Sequence, residues 1–168
     1  MNHRFSFDYF GATIQAQSLG NKTVPALEET LTAHVVPITN DGKVVAVDVI
    51  GRGVDIPGGH IDAGESAIEA ATREAYEEAL IEVVDLQLVD VLRLQSDDET
   101  LGLKTKPYMV LYASRVGRFD TFIVNSEVSE RLIIDRQEFA RRYFADSAYA
   151  VDLIDKALHA LTLKPDGQ

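Results

Sequence analysis

Residues 59–81 read GHIDAGESAIEAATREAYEEALI, a glycine loop running into a helix with several carboxylates on one side. Ser66 and Glu69 have the Ser-x-x-Glu spacing of a capping box, so the helix is expected to begin after Ser66 and to run to about Ala79. Ile68, Ala71, Ala75 and Ala79 give it a narrow apolar face that calls for a sheet to pack against. Glu74, Glu77 and Glu78 fall at i, i+3 and i+4 and share one side. Like charges four apart cost roughly 0.2–0.5 kcal/mol in an isolated helix, so a positive group is expected among them. Arg73, four residues from both Glu69 and Glu77, is placed to hold a carboxylate in position through intrahelical pairs. Pro57-Gly58-Gly59 lets the backbone pass close to a metal or phosphate with no side chain between.

The rest of the composition narrows the chemistry. The chain has 168 residues, the size of a single domain with a sizeable core, and its apolar and charged fractions, 46% and 26%, are ordinary for a globular protein. A net charge of −11 argues against a nucleic-acid backbone as partner, and means that an anionic substrate needs a cation to reduce the repulsion. There is no cysteine, which excludes disulfides, thiolate metal sites and a cysteine nucleophile. With oxygen ligands and no clustered His pair, Mg²⁺ is favoured, with Mn²⁺ next, over Zn²⁺. Mg²⁺ takes a few carboxylates, completes its shell with water and phosphate oxygens, and polarises a phosphoryl group. The reaction class that follows is hydrolysis of a phosphoanhydride. The N-terminus lacks the apolar run of a signal peptide and no stretch approaches a membrane span, so the expectation is a cytoplasmic protein without membrane attachment.

Strands and helices alternate in a readable order. Thr32–Thr39 and Lys43–Ile50 are β-rich and flank the hairpin signal Asn40-Asp41-Gly42. Val54-Asp55-Ile56 reads as a short strand, Leu86–Leu94 and Tyr108–Val116 as a second pair, and Phe119–Val124 as a further short one. After Asn125-Ser126 the chain is expected to turn helical, with helices at 135–144 and 147–161, the last burying Ala148, Val151, Ile154, Leu158 and Leu161. Residues 1–31 are read as an arm, its aromatics Phe5, Phe7, Tyr9 and Phe10 forming an edge strand or packing segment, ahead of a single domain over 32–168. The fold class is α+β: a mixed sheet with the motif helix and the C-terminal helices packed on its faces.

A Glu-rich helix in an acidic protein is usually a solvated face. The joint pattern is rarer. With six fixed residues at about 6% each and about 150 starting points, chance gives a match on the order of once in 10⁵ chains. Gly59, Glu65, Arg73, Glu74, Glu77, Glu78 and Ile81 resemble the Nudix hydrolase signature, G-x5-E-x7-R-E-U-x-E-E-x-G-U, in which U is a bulky apolar residue. The resemblance implies an α/β/α sandwich and Mg²⁺-dependent cleavage of a nucleoside diphosphate linked to another moiety. By carry-over, Glu74 and Glu78 would be direct metal ligands, Glu77 a ligand directly or through water, and a Gly58 or Gly59 carbonyl a further one. Glu65 would support the loop or a metal, and Arg73 would orient the glutamates. The catalytic base would be a box glutamate or one from a later loop, where Glu127 and Glu130 are the candidates. Two positions depart from the signature: Ala75 is small, and Leu80 stands where a glycine normally closes the helix in a left-handed conformation.

Other residues carry weaker signals. His60, Lys104 and Lys106 are candidates for substrate phosphate, although solvated loop residues of these types are the commoner case. His34 reads as structural, and Asp97-Asp98-Glu99 lacks the spacing of a calcium loop. The expected partner is a nucleotide or another diphosphate: a nucleoside triphosphate, a nucleotide sugar, ADP-ribose or similar. A homodimer is compatible with the chain. The alternative is a non-catalytic nucleotide-binding or regulatory domain on the same fold, against which the retained Glu74, Glu77 and Glu78 argue. An isopentenyl-diphosphate isomerase-like activity would, by the resemblance, require a cysteine.

Overall fold

The computed structural model describes residues 2–162. Along the chain come β1 (Arg4–Tyr9), β2 (Ala12–Ser18), β3 (Thr30–Ile38), β4 (Val44–Val49), β5 (Gly53–Asp55) and β6 (Gly58–His60). Helix α1 (Ala67–Ala79) follows, then β7 (Ile81–Gln95), β8 (Tyr108–Phe119), β9 (Val128–Ile134), α2 (Arg136–Arg142) and α3 (Ser147–Thr162). The strands form one mixed sheet in the order β1-β2-β7-β8-β3-β4-β5, with β6 paired to β3 and β9 to β4. The β3–β8 pair is parallel and the other pairs are antiparallel.

Alternation along the strands splits the core in two. Ala33 and Val35 of β3, with Val45 and Val47 of β4, pack under the alanines of α1. Val36, Val44 and Ala46 face the other way, toward Phe139 of α2 and Tyr149, Leu153 and Ile154 of α3. The α/β/α arrangement therefore follows from one sheet apolar on both faces.

Several elements differ from the sequence reading. Residues 120–127 are irregular, and the strand is Val128–Ile134. Strand β7 begins at Ile81, directly after the helix, and shifts register near Val83, Gln87 and Asp90. On α3 the buried face includes Tyr149 and Leu153, while Ala148 is exposed. The Tyr149 hydroxyl donates to Asp90 at 3.0 Å, which turns that side of the helix inward. Asp90 is fully buried and also accepts from the Ser18 hydroxyl and the Gly20 amide, tying the end of β2 to α3 through β7. On α1 the buried residues are Ala70, Ala71, Ala75, Glu78 and Ala79, while Ile68 is exposed. The helix is thus rolled toward Glu78.

The departure at Leu80 leaves the helix exit in its glycine-like form. Leu80 has φ 52° and ψ 47°, left-handed, and its N–H donates to the Tyr76 carbonyl at 3.0 Å. Arg131 of β9 compensates: its Nη1 donates to the Ala79, Leu80 and Asp120 carbonyls at 3.0, 3.3 and 2.9 Å. A leucine held left-handed still carries strain. Leu80→Gly is expected to raise stability by about 0.5–1 kcal/mol in a denaturant melt, with activity unchanged.

Candidate active site

The capping box forms as the spacing requires. The Ser66 hydroxyl accepts from the Glu69 amide at 3.1 Å, and Glu69 accepts from the Ser66 amide at 2.9 Å. Glu69 is thereby occupied, and Arg73 turns elsewhere. Its Nε and Nη2 donate to the two oxygens of Glu65 at 2.8 and 3.0 Å, a bidentate pair. Its Nη1 donates to Glu74 at 2.9 Å and Glu77 at 3.1 Å, and Nη2 also reaches the His60 carbonyl at 3.0 Å. One guanidinium thus joins the loop, β6 and the carboxylate face of α1. Its hydrogen bond to Glu65 is the main cause that holds the arginine pKa above its already high value and the glutamate's below its ordinary one.

Glu74 and Glu78 lie against the glycine strand. The Gly58 amide donates to Glu78 at 3.2 Å. A Cβ on Gly59 would sit 2.4 Å from Glu74 Oε1, and one on Gly58 would sit 2.2 Å from His34 Nδ1 and 2.7 Å from His34 Cα. A side chain does not fit at Gly58, where it meets the His34 backbone, and at Gly59 it would push the Glu74 carboxylate aside. Burial dominates both acids: it raises Glu74 above its ordinary pKa and pushes Glu78 up to about 8, with Asp55 and Glu74 adding to the Glu78 shift.

The NUDIX domain family matches residues 29–150 of the chain. The chain belongs to the Nudix hydrolase family. A Bacillus subtilis pyrophosphohydrolase superposes with TM-score 0.68 at 17% identity, over 95% of this chain and 96% of that one. A NUDIX hydrolase from Nitrosomonas europaea gives 0.61 at 21%, over 82% and 93%. A C. elegans Ap4A hydrolase gives 0.57 at 19%, over 78% and 98%. At these identities the likeness is one of fold. No curated protein matches the sequence.

Around this Nudix segment the other candidates are placed unevenly. Glu77 is largely exposed, its Oε2 taken by Arg73. Glu127 lies within electrostatic reach of Glu74, whose pKa it helps to raise. Asn125 shapes that loop, accepting from the Glu127 and Val128 amides at 2.8 Å. Glu130 sits opposite Asp48, one residue from the Val47–Arg131 pair, and so faces away from α1. Lys104 pairs with Glu99, while Lys106 borders the same shallow cleft as Asp62 and Glu65. His60 is exposed at the end of β6, beside a cavity of about 320 Å³. Arg52, Asp55 and Asn125 were not singled out from sequence. The spacing of Arg52 and Asp55, three apart across Gly53, was the available signal for the first two. Among the described residues, no helix is long and apolar enough to cross a membrane.

Proposed function

We propose that this Nudix protein hydrolyses a phosphoanhydride bond in a nucleoside diphosphate derivative, using Mg²⁺ or Mn²⁺ held by Glu74 and Glu78. The observation that carries the reading is the pair of desolvated carboxylates against Gly58 and Gly59. Hard oxygen donors of raised pKa, in an acidic chain, are stabilised by a hard cation. Among the described residues no three His, Cys, Asp or Glu side chains are gathered at metal-holding distance. Two carboxylates, a Gly58 or Gly59 carbonyl, water and substrate phosphate would then make up the shell, which is how Mg²⁺ is usually held. When bound, the ion supplies Lewis-acid polarisation of a phosphoryl oxygen and a more acidic water.

The chain's own residues do the rest. Arg73 fixes Glu74 and Glu77 and keeps Glu65 ionised under the loop. Gly58 and Gly59 let His34 and the Glu74 carboxylate lie directly against the β6 backbone, where a methyl group would displace them. Glu127, held by Asn125, and Glu77 are the carboxylates available to orient or deprotonate water, and the facing of Glu130 speaks against it in that role. A phosphate-release screen of nucleoside diphosphate derivatives, with and without Mg²⁺, tests the reading. Metal-dependent release supports it, and no release from any member contradicts it.

The Glu78 shift has a definite sign. A carboxyl whose folded pKa lies at about 8, above its ordinary value of 4.5, favours the fold most below pH 4.5 and loses that contribution as pH rises through 8. Metal must displace the same proton. Mg²⁺ affinity is therefore expected to rise roughly tenfold per pH unit between about pH 6 and 8 and to level off above, as read by titration calorimetry.

A further inference from the structure

The two ends of the sheet are finished differently. At one end β5 is short, and the chain between α2 and α3 lies along it: Tyr143 bridges to Val54, and the Phe144 amide donates to the Val54 carbonyl at 2.9 Å. At the other end, in a hairpin outside the 29–150 family match, β1 pairs among the described residues with β2 alone. The sheet curls until these ends approach. The Tyr9 ring lies 5.5 Å from the Arg52 guanidinium, and a Cβ on Gly51 would be 3.6 Å from the Phe10 ring. Those contacts come at the hairpin tip, beyond the Arg4–Asp8 stretch of β1. Within that stretch Arg4, Ser6 and Asp8 are exposed, while Phe5 and Phe7 are half-buried along the cavity of about 320 Å³.

The hairpin turn sets which backbone groups the outer edge presents. Phe10 and Gly11 both have positive φ, 46° and 88°, as in a two-residue turn that closes on a hydrogen-bonded Tyr9–Ala12 pair. The Ser18 amide donates to the His3 carbonyl at 2.9 Å, in the same phase. His3, Phe5, Phe7 and Tyr9 therefore turn their backbone groups to β2, and Arg4, Ser6 and Asp8 turn theirs outward. The register is unbroken from Arg4 to Tyr9, so neither a bulge nor a proline blocks this edge. Its two charges have opposite sign and are little used within the chain. Among the described residues Arg4 forms no ion pair, and Asp8 accepts only from the Thr13 hydroxyl, at 3.4 Å.

The strand is complementary to itself. An antiparallel copy related by a two-fold axis through Ser6 sets Arg4 opposite the partner's Asp8, Asp8 opposite the partner's Arg4, and Ser6 opposite the partner's Ser6. All these positions face outward in both chains, so each pair exchanges two backbone hydrogen bonds, about six in all. Phe5 then falls opposite the partner's Phe7 in a non-hydrogen-bonded pair, where side chains come closest. An axis at Phe5 sets Arg4 against the partner's Ser6, and an axis at Phe7 sets Asp8 against it. Both shorten the overlap and leave the charges unmatched.

We propose that β1 is a dimer edge, at which a second copy of this chain joins β1 to β1 across a two-fold axis at Ser6. One sheet then runs through both subunits, with Arg4–Asp8 pairs on one face and Phe5–Phe7 pairs on the other. A single strand pair is a small interface, so the dissociation constant is expected at about 1–100 μM. Sedimentation velocity of the whole protein from about 1 to 200 μM should show monomer passing into dimer. Ser6→Pro removes an outward N–H that β2 does not use, so it should keep the melting temperature and stay monomeric. Arg4→Asp and Asp8→Arg each make every charged pair repulsive, and each should weaken self-association about tenfold or more. Mixed together, these two variants meet only opposite charges across the axis, so the mixture should dimerise like the parent, as should the double variant. A parent that stays monomeric over this range overturns the proposal. So does a Ser6→Pro variant that dimerises like the parent, or a mixture of the two charge variants that associates no more strongly than either alone.

Discussion

Glu78→Gln is expected to fold like the parent and to lose about a hundredfold or more in kcat. The two halves of this result have one cause. Glu78 is buried against the Gly58 amide with its pKa pushed up to about 8, so at neutral pH and without metal it is already mostly protonated. A glutamine copies the size and polarity of that protonated acid, so the metal-free melting temperature should hardly move. What glutamine lacks is the ionised form that would face the cation. Added Mg²⁺ should therefore stabilise the parent and not the variant. Undiminished turnover in the variant would remove Glu78 from the metal site.

Arg73→Ala is expected to cost both stability and activity. The guanidinium serves Glu65, Glu74, Glu77 and the His60 carbonyl at 2.8–3.1 Å, and among the described residues no other cation shares those contacts. Its side chain is 26% exposed, so the loss is less than for a fully buried ion pair, about 2 kcal/mol. Activity should fall about 10–100-fold, as when a group that orients metal ligands is removed. The pH profile separates positioning from simple destabilisation. Arg73 lowers the Glu74 pKa against the effect of burial, so the variant should lose activity on the acid side at a higher pH than the parent. Arg73→Lys should recover stability more than rate, because one ammonium cannot fork onto Glu65 while holding Glu74. A variant that melts lower but keeps the parent's pH profile would make Arg73 structural only.

Local chemistry was the legible part of this chain. The capping box at Ser66 and Glu69, the hairpin turn at Asn40-Asp41-Gly42 and the signature glutamates depend on neighbours within a few residues. Their structures follow from the sequence directly. Burial depth was harder to read. The same helix periodicity allows Ile68 or Glu78 to lie at the edge of the buried stripe, and only packing on β3 and β7 selects Glu78. Strand β6 is two glycines and a histidine, without β-propensity, and exists because β3 supplies its partner. Strand β9 was hidden because Ser129, Glu130 and Arg131 interrupt its apolar alternation. The cavity was least legible, since it depends on the curl of the sheet bringing Tyr9 to Arg52, residues on opposite ends of the strand order.

Glu74 and Glu78 are proposed as a cation site that stays partly protonated until metal arrives. Titrating Mg²⁺ and Mn²⁺ calorimetrically at pH 7, in two buffers of different ionisation enthalpy, measures affinity and proton release together. Binding is expected with release of close to one proton per ion, and both should be lost in Glu78→Gln. Absence of binding, or binding with no proton released, would contradict it.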